Sequence, residues 1–95
     1  MQFLLDKGFD SSLLRSLREK YDEAILDTVD IEEDNVIEVI DYLKEIGIKY
    51  IDSLMIYDIG LFTTDIDKVK EAFEKQNIPE FVREVNDDIV NIDRL

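Results

Sequence analysis

The stretch Leu43-Lys44-Glu45-Ile46-Gly47-Ile48 decides the fold, because it ends the clearest helix in the sequence and has counterparts at other helix ends. Before it, apolar residues recur at three- and four-residue steps through Asp34–Ile46, which predicts an amphipathic helix. Gly47 follows as the C-cap, since glycine readily adopts the left-handed conformation that ends many helices. Similar stretches are Leu4-Leu5-Asp6-Lys7-Gly8-Phe9 and Phe73-Glu74-Lys75-Gln76-Asn77-Ile78.

Helix signals continue on both sides of this stretch. Toward the N-terminus, Gln2–Lys7 is predicted to form a short helix ended by Gly8, and Asp10 or Ser11 is predicted to cap the next helix. Beyond Gly47, the residues of Tyr50–Tyr57 suit either a short helix or a buried strand, and the flanking sequence favours the helix.

The last third of the chain contains signals for two more helices. Thr64 or Asp65 is a good N-cap for a helix that runs toward Asn77, and we expect Asn77 to end that helix in the left-handed conformation. Pro79 then stands where the first turn of a helix tolerates proline. Apart from the ambiguous segment Tyr50–Tyr57, every element predicted from the sequence is therefore helical.

Aligning the helix ends divides the chain into three related units. Gly8 and Gly47 are 39 residues apart, whereas Gly47 and Asn77 are 30 apart, and six of the nine extra residues fall between Asp22 and Val39. We predict an all-α fold in which about two to three helix pairs stack into a short helical-repeat, α-solenoid-like array. The alternative is a compact irregular helical bundle whose helices end at similar caps.

Length and composition limit the class of protein. At 95 residues, with 45% apolar and 37% charged residues, the chain is expected to fold as a single helical domain, residues 1–95. It has no cysteine, no histidine and no apolar run long enough for a membrane span. The residues after Met1 do not match a secretory signal or a transit peptide, so we expect a cytoplasmic location.

The pattern Leu-x3-Gly-Ile-x2-Ile-x2-Leu-x3-Asp-x2-Leu-Phe, from Leu43 to Phe62, resembles the helical repeat of the mitochondrial transcription termination factor family. The resemblance implies a curved solenoid of units that contain two helices and a short third turn. Members of that family bind nucleic acid along a basic concave face. This chain departs from the pattern, because Asp22 and Asp58 replace the usual proline and the formal net charge is −13.

The strongest compositional feature is the acidic segment, residues 21–43, which lies between Lys20 and Lys44 and contains nine carboxylates and no basic residue. Like charges so close together repel one another, so the segment carries an energetic cost. We expect the basic residues just before it, Arg15, Arg18 and Lys20, to pair with acidic neighbours such as Asp22. We interpret it either as a docking surface for a basic partner or as a solvated connection between helices. The candidate partner-binding residues are Asp27, Asp30, Glu32, Glu33, Asp34 and Glu38.

Catalytic and metal-binding motifs are not found in the sequence. The residues from Asp27 to Glu38 have the length of a calcium-binding loop but do not match its pattern. Val29, Ile31 and Glu32 occupy positions that need oxygen ligands or glycine. The serines have no histidine to activate them, and the three glycines form no phosphate-binding motif. We therefore expect no enzyme activity, no cofactor and no specific metal site, although weak divalent-ion binding to the carboxylates stays open.

The charge distribution yields three hypotheses about function. The first is a small non-enzymatic interaction or regulatory module that presents an acidic surface to a protein with a basic surface. The alternative is a nucleic-acid mimic of the inhibitor, antitoxin or immunity type, which would need carboxylates spaced like phosphates. Direct nucleic-acid binding is disfavoured by the net charge, and membrane binding is not expected. Homo-oligomers remain possible, because the ends of a short solenoid can pair.

Overall fold

The computed structural model describes all of residues 1–95 and contains eight α-helices, a C-terminal 3₁₀ helix and no strand. The all-α prediction is confirmed, and the ambiguous segment is a helix over Ile51–Tyr57, with Tyr50 as its N-cap residue. The α-helices are α1 (Gln2–Asp6), α2 (Ser11–Lys20), α3 (Glu23–Ile31), α4 (Glu33–Ile46), α5 (Ile51–Tyr57), α6 (Ile59–Thr63), α7 (Ile66–Glu74) and α8 (Ile78–Asp87), and the 3₁₀ helix is Ile89–Arg94.

Helix ends follow the local sequence at most positions. Gly47 ends α4 with φ +103°, and Gly8 has φ +97°. Asp10 begins α2 by accepting a hydrogen bond from the backbone N–H of Ser12, and Asp65 begins α7 in the same way. For each of these two helices the sequence offered an aspartate and a neighbouring serine or threonine as the N-cap, and in both cases the aspartate has that role.

The prediction that Asn77 ends a helix in the left-handed conformation is wrong. Helix α7 ends earlier, at Glu74, and Asn77 has φ −76°. Its side-chain oxygen accepts a hydrogen bond from the backbone N–H of Glu80, so Asn77 is the N-cap of α8. Asparagine suits both roles, and the helix that starts directly afterwards selects the second.

The core is one cluster of 22 buried residues, all of them apolar. Helix α4 is central, since it packs against α3, α5, α6, α7 and α8. Around it, α2 packs on α5, α3 packs on α6, and the 3₁₀ helix packs on α8 and α5. The Phe73 ring meets Tyr42 and Phe81 edge-on, with ring centroids 5.8 and 5.6 Å away, and this links α4, α7 and α8.

Two asparagines hold turns that belong to distant parts of the chain. Asn35, on α4, donates to the carbonyl oxygen of Thr64 and accepts from the N–H of Ile66, at 2.6 and 2.9 Å. Asn86, on α8, donates to the carbonyl oxygen of Gly47 and accepts from the N–H of Lys49, at 3.0 and 2.9 Å. Each side chain therefore satisfies two backbone groups that the turn leaves without partners.

None of the helices combines the length and the apolar character that a bilayer crossing requires.

Candidate functional site

The acidic segment is helical along nearly its whole length. Asp22 begins α3 by accepting from the N–H of Ile25 at 3.0 Å, and Glu32 is the junction at which α3 ends and α4 begins. The acidic segment is solvated, but it is not a connection between helices, because residues 27–31 belong to α3 and residues 33–34 to α4. Buried Val29 and half-buried Leu26 are three residues apart and pack α3 against the core. The dense charges of the segment did not indicate this helix.

All six predicted partner-binding residues are exposed, but they do not form one group. Asp30, Glu32, Glu33 and Asp34 lie together around the junction of α3 and α4. Asp27 is one turn earlier on α3. Glu38 lines a different feature, an acidic groove between α4 and α7.

Ion pairs engage only two of the nine carboxylates of the acidic segment. Asp30 contacts the amino group of Met1 at 2.7 Å, and Asp41 pairs with Lys7. Both contacts hold the α1 region against the segment. The other seven carboxylates make no ion pair, so most of this charge is presented to solvent.

Ile31 is the most exposed large apolar residue of the protein, with 81% of its surface accessible. It is the last residue of α3, and acidic residues precede and follow it. The spacing of apolar residues did not single it out, because an isolated isoleucine in a charged stretch fits no helical pattern. The junction of α3 and α4 thus combines an exposed aliphatic side chain with surrounding negative charge.

The acidic groove between α4 and α7 has a volume of about 350 Å³. Lys70 places its ammonium 5.7 Å from the centre of the Tyr42 ring, at one side of this groove. Burial raises the pKa of the Tyr42 hydroxyl, and the charges of Glu74 and Glu45 raise it further. The groove is lined by Glu38, Asp41, Tyr42, Glu45, Ile66, Asp67 and Lys70.

A second concave feature, which we call the α3–α6 pocket, is mostly apolar. Its volume is about 210 Å³, and its opening lies beside the acidic segment. Ile25 contributes one wall and is 38% exposed. The pocket is lined by Ile25, Thr28, Ile59, Gly60 and Thr63.

The basic residues of α2 have different roles from those expected. The sequence suggested that Arg15, Arg18 and Lys20 pair with nearby acids such as Asp22, but none of the three forms an ion pair. Lys20 instead donates to the carbonyl oxygens of Ile56 and Tyr57, at 2.6 and 3.3 Å, and so caps the end of α5. A cation is favourable there, because a helix C-terminus carries partial negative charge.

The structure does not bring three carboxylates into an arrangement that could hold a metal ion. Ser11 and Ser12 begin α2, where the N–H of Ser12 hydrogen-bonds to Asp10 and lowers the pKa of that carboxyl. What the surface offers is binding chemistry, since unpaired carboxylates attract cations and Ile31 and the α3–α6 pocket accept apolar groups. No protein-family model, no curated protein and no solved structure matches this chain.

Proposed function

We propose that this protein is a small non-enzymatic interaction module that presents its acidic segment to a protein with a basic surface. The observation that carries the proposal is that all nine carboxylates of the segment are exposed and seven of them make no ion pair. A basic partner would relieve the repulsion among these charges and gain speed of association from long-range attraction.

Ile31 supports the same proposal by providing an anchor at the α3–α4 junction. Charge alone contributes mainly to association rate and selectivity, whereas tight binding usually depends on a few apolar or aromatic side chains that lose their water. An isoleucine that is 81% exposed and surrounded by carboxylates has this character. A matching partner carries an apolar contact surrounded by lysine or arginine.

For the scaffold, we propose three stacked repeat units that consist of α1–α3, α4–α6 and α7 to the 3₁₀ helix. The packing of α2 on α5, α3 on α6, and α4 on α7 supports this division, because each pair occupies equivalent positions in successive units. Tyr21 and Tyr57 stand 36 positions apart and both hydrogen-bond to the following unit, at Ile56 and Asp93. The solenoid suggested by the termination-factor resemblance would have this organisation, with acidic charge in place of basic charge.

The proposal is tested by affinity purification from the native cell with quantitative mass spectrometry, using the full chain and two variants of equal charge change. The first variant neutralises the unpaired carboxylates around the α3–α4 junction and one turn before it, and Asp30 is left unchanged because it pairs with Met1. The second neutralises four exposed carboxylates elsewhere. The first carries Asp27→Asn, Glu32→Gln, Glu33→Gln and Asp34→Asn, and the second carries Glu19→Gln, Asp52→Asn, Glu71→Gln and Asp87→Asn.

We expect the wild-type chain to enrich proteins with basic surfaces, the first variant to lose them and the second to keep them. Circular dichroism should show that both variants remain folded. The proposal is overturned if both variants capture the same proteins as the wild type, or if the proteins lost with the first variant carry no basic surface.

A further inference from the structure

The α3–α6 pocket has the size and lining for a single apolar side chain. A buried cavity of about 150 Å³ already accommodates a benzene molecule, so about 210 Å³ accepts a leucine or phenylalanine side chain. The hydroxyls of Thr28 and Thr63 donate to backbone carbonyls of their own helices, at 3.0 and 3.2 Å. Since these donors are engaged, the pocket offers mainly methyl and methylene groups to a ligand.

Gly60 keeps the pocket open, and the backbone does not require a glycine at this position. It lies inside α6, and only Gly8 and Gly47 have positive φ. A Cβ at position 60 would meet a single atom within 4 Å, the Oδ1 of Asp58 at 3.4 Å. Glycine inside a helix is less favourable than alanine. Neither backbone conformation nor close packing therefore explains why position 60 is a glycine, whereas the need to keep the pocket unobstructed does.

Asp58 provides a charge at the edge of the same pocket. Its carboxylate lies close to Gly60, is partly buried, and makes no hydrogen bond or ion pair. A group that fits here therefore combines an apolar side chain with an adjacent cation. A second copy of this chain is a poor match, because each copy carries a formal charge of −13 and two copies repel.

We propose that the α3–α6 pocket receives one leucine- or phenylalanine-sized side chain from a basic partner, and that a neighbouring lysine or arginine of that partner pairs with Asp58. This inference rests on the proposed function, since it assigns the partner's chemistry next to the acidic segment. The pocket gives the interaction a second apolar contact besides Ile31. In the sequence, Asp27 and Asp30 lie between Ile25 of the pocket and Ile31.

The test uses two synthetic helical peptides of equal positive charge, one with a leucine face and lysines around it, the other with glutamines in place of the leucines. Isothermal titration calorimetry at fixed salt gives the affinity of each peptide for the full chain. We expect the wild type to prefer the leucine peptide by about tenfold, the value of burying one such side chain. The preference should disappear in Gly60→Leu, which fills the pocket, and in Ile25→Gln, which removes an apolar wall.

Ser53→Leu is the matched control, because it adds the same side chain to an exposed position on α5 and should keep the preference. The proposal is overturned if Gly60→Leu and Ile25→Gln, both folded by circular dichroism, retain the wild-type preference. It is also overturned if the free chain self-associates in sedimentation and Gly60→Leu abolishes this association, because a second copy would then occupy the pocket.

The four-residue neutralised variant separates this inference from the proposed function. If it weakens binding of both peptides equally while Gly60→Leu removes only the leucine preference, both proposals are supported. If it leaves both affinities unchanged, the acidic segment is not the docking surface, whatever the pocket variants show.

Discussion

Asn35 donates a hydrogen bond from its side-chain amide to the carbonyl oxygen of Thr64, 29 residues later in the chain, at 2.6 Å. The contact fixes the first turn of α4, which belongs to the acidic segment, to the turn between α6 and α7. It means that a part of the surface proposed to bind a partner is held in place by a neutral side chain among the charged ones.

Replacing Asn35 with alanine should lower the free energy of unfolding by about 1–3 kcal/mol, because the Thr64 carbonyl and the Ile66 N–H lose their partner where water has limited access. Urea denaturation followed by circular dichroism measures the change. Glu38→Ala, on the same helix but exposed and unpaired, should shift the value by less than about 0.5 kcal/mol. Equal effects from the two substitutions would contradict this role for Asn35.

Alanine should have opposite effects at two of the glycines. Gly47→Ala should lower the free energy of unfolding by about 1–2 kcal/mol, because φ +103° is strained for a residue with a Cβ. Gly60→Ala should raise it by about 0.5–1 kcal/mol, since α6 gains a better helix former and no clash. The two variants are compared in one denaturation series, and changes of the same sign would refute the prediction.

Lys20 and Arg18 provide a comparison between two cations of the same helix. Lys20→Met should destabilise the protein by about 1 kcal/mol, because the α5 carbonyls lose a charged donor and the Tyr21 and Tyr57 rings lose a nearby cation. Arg18→Met removes the same charge from an exposed residue without an ion pair and should have little effect. Thermal melts of both variants check this, and a larger loss from Arg18→Met would disprove it.

Stability should fall at alkaline pH, partly through Tyr57. Its hydroxyl donates to Asp93 at 2.7 Å, and this hydrogen bond raises the pKa of the Tyr57 hydroxyl, with further contributions from burial and from nearby aspartates. Because the folded pKa exceeds the unfolded one, the contribution is complete below about pH 10 and is lost as the pH rises through the folded pKa. Urea midpoints between about pH 8 and 11 measure the decrease.

In that pH series Tyr57→Phe should be less stable than the wild type near neutrality. Its urea midpoint should also decrease less than that of the wild type as the pH rises. Some decrease should persist, because burial also raises the pKa of Tyr42. Tyr50→Phe should retain the whole decrease, since Tyr50 is 53% exposed and makes no side-chain hydrogen bond. An unchanged profile for Tyr57→Phe would remove Asp93 as the cause.

Added salt should stabilise this protein. The charge of −13 produces self-repulsion, which a rise in NaCl from about 10 mM to about 0.5 M largely screens. We expect the melting temperature to rise with salt, and to rise less in the four-residue neutralised variant of the acidic segment. A melting temperature that falls with NaCl, or an equal rise in both proteins, would show that repulsion in the segment costs little.

The sequence predicted those elements that depend on single residues with strong local preferences. Gly47 and the aspartates at the starts of α2 and α7 are of this kind, because glycine tolerates positive φ and an aspartate oxygen satisfies the first N–H groups of a helix. Helix α3 was missed because its carboxylates obscure the short spacing of Leu26 and Val29, so the six candidate residues were identified but their helical context was not.

Long-range contacts were beyond prediction from one sequence. The partners of Asn35 and Asn86 lie 27–39 residues away, and the carbonyls that Lys20 caps lie 36 and 37 residues away. The α3–α6 pocket exists only because two helices from different parts of the chain pack together. A local pattern contains none of this information, and the charged residues of α2 were accordingly assigned to the wrong partners.

The shortness of the helices has a consequence for how the whole molecule unfolds. An isolated helix shorter than about 12–15 residues is marginal in water, and here only α4, with 14 residues, reaches that length. The other helices persist only through the single apolar cluster they share, so they should be lost together in a two-state transition with coincident curves from different probes. The changes in the free energy of unfolding caused by substitutions far apart in the structure should then be additive.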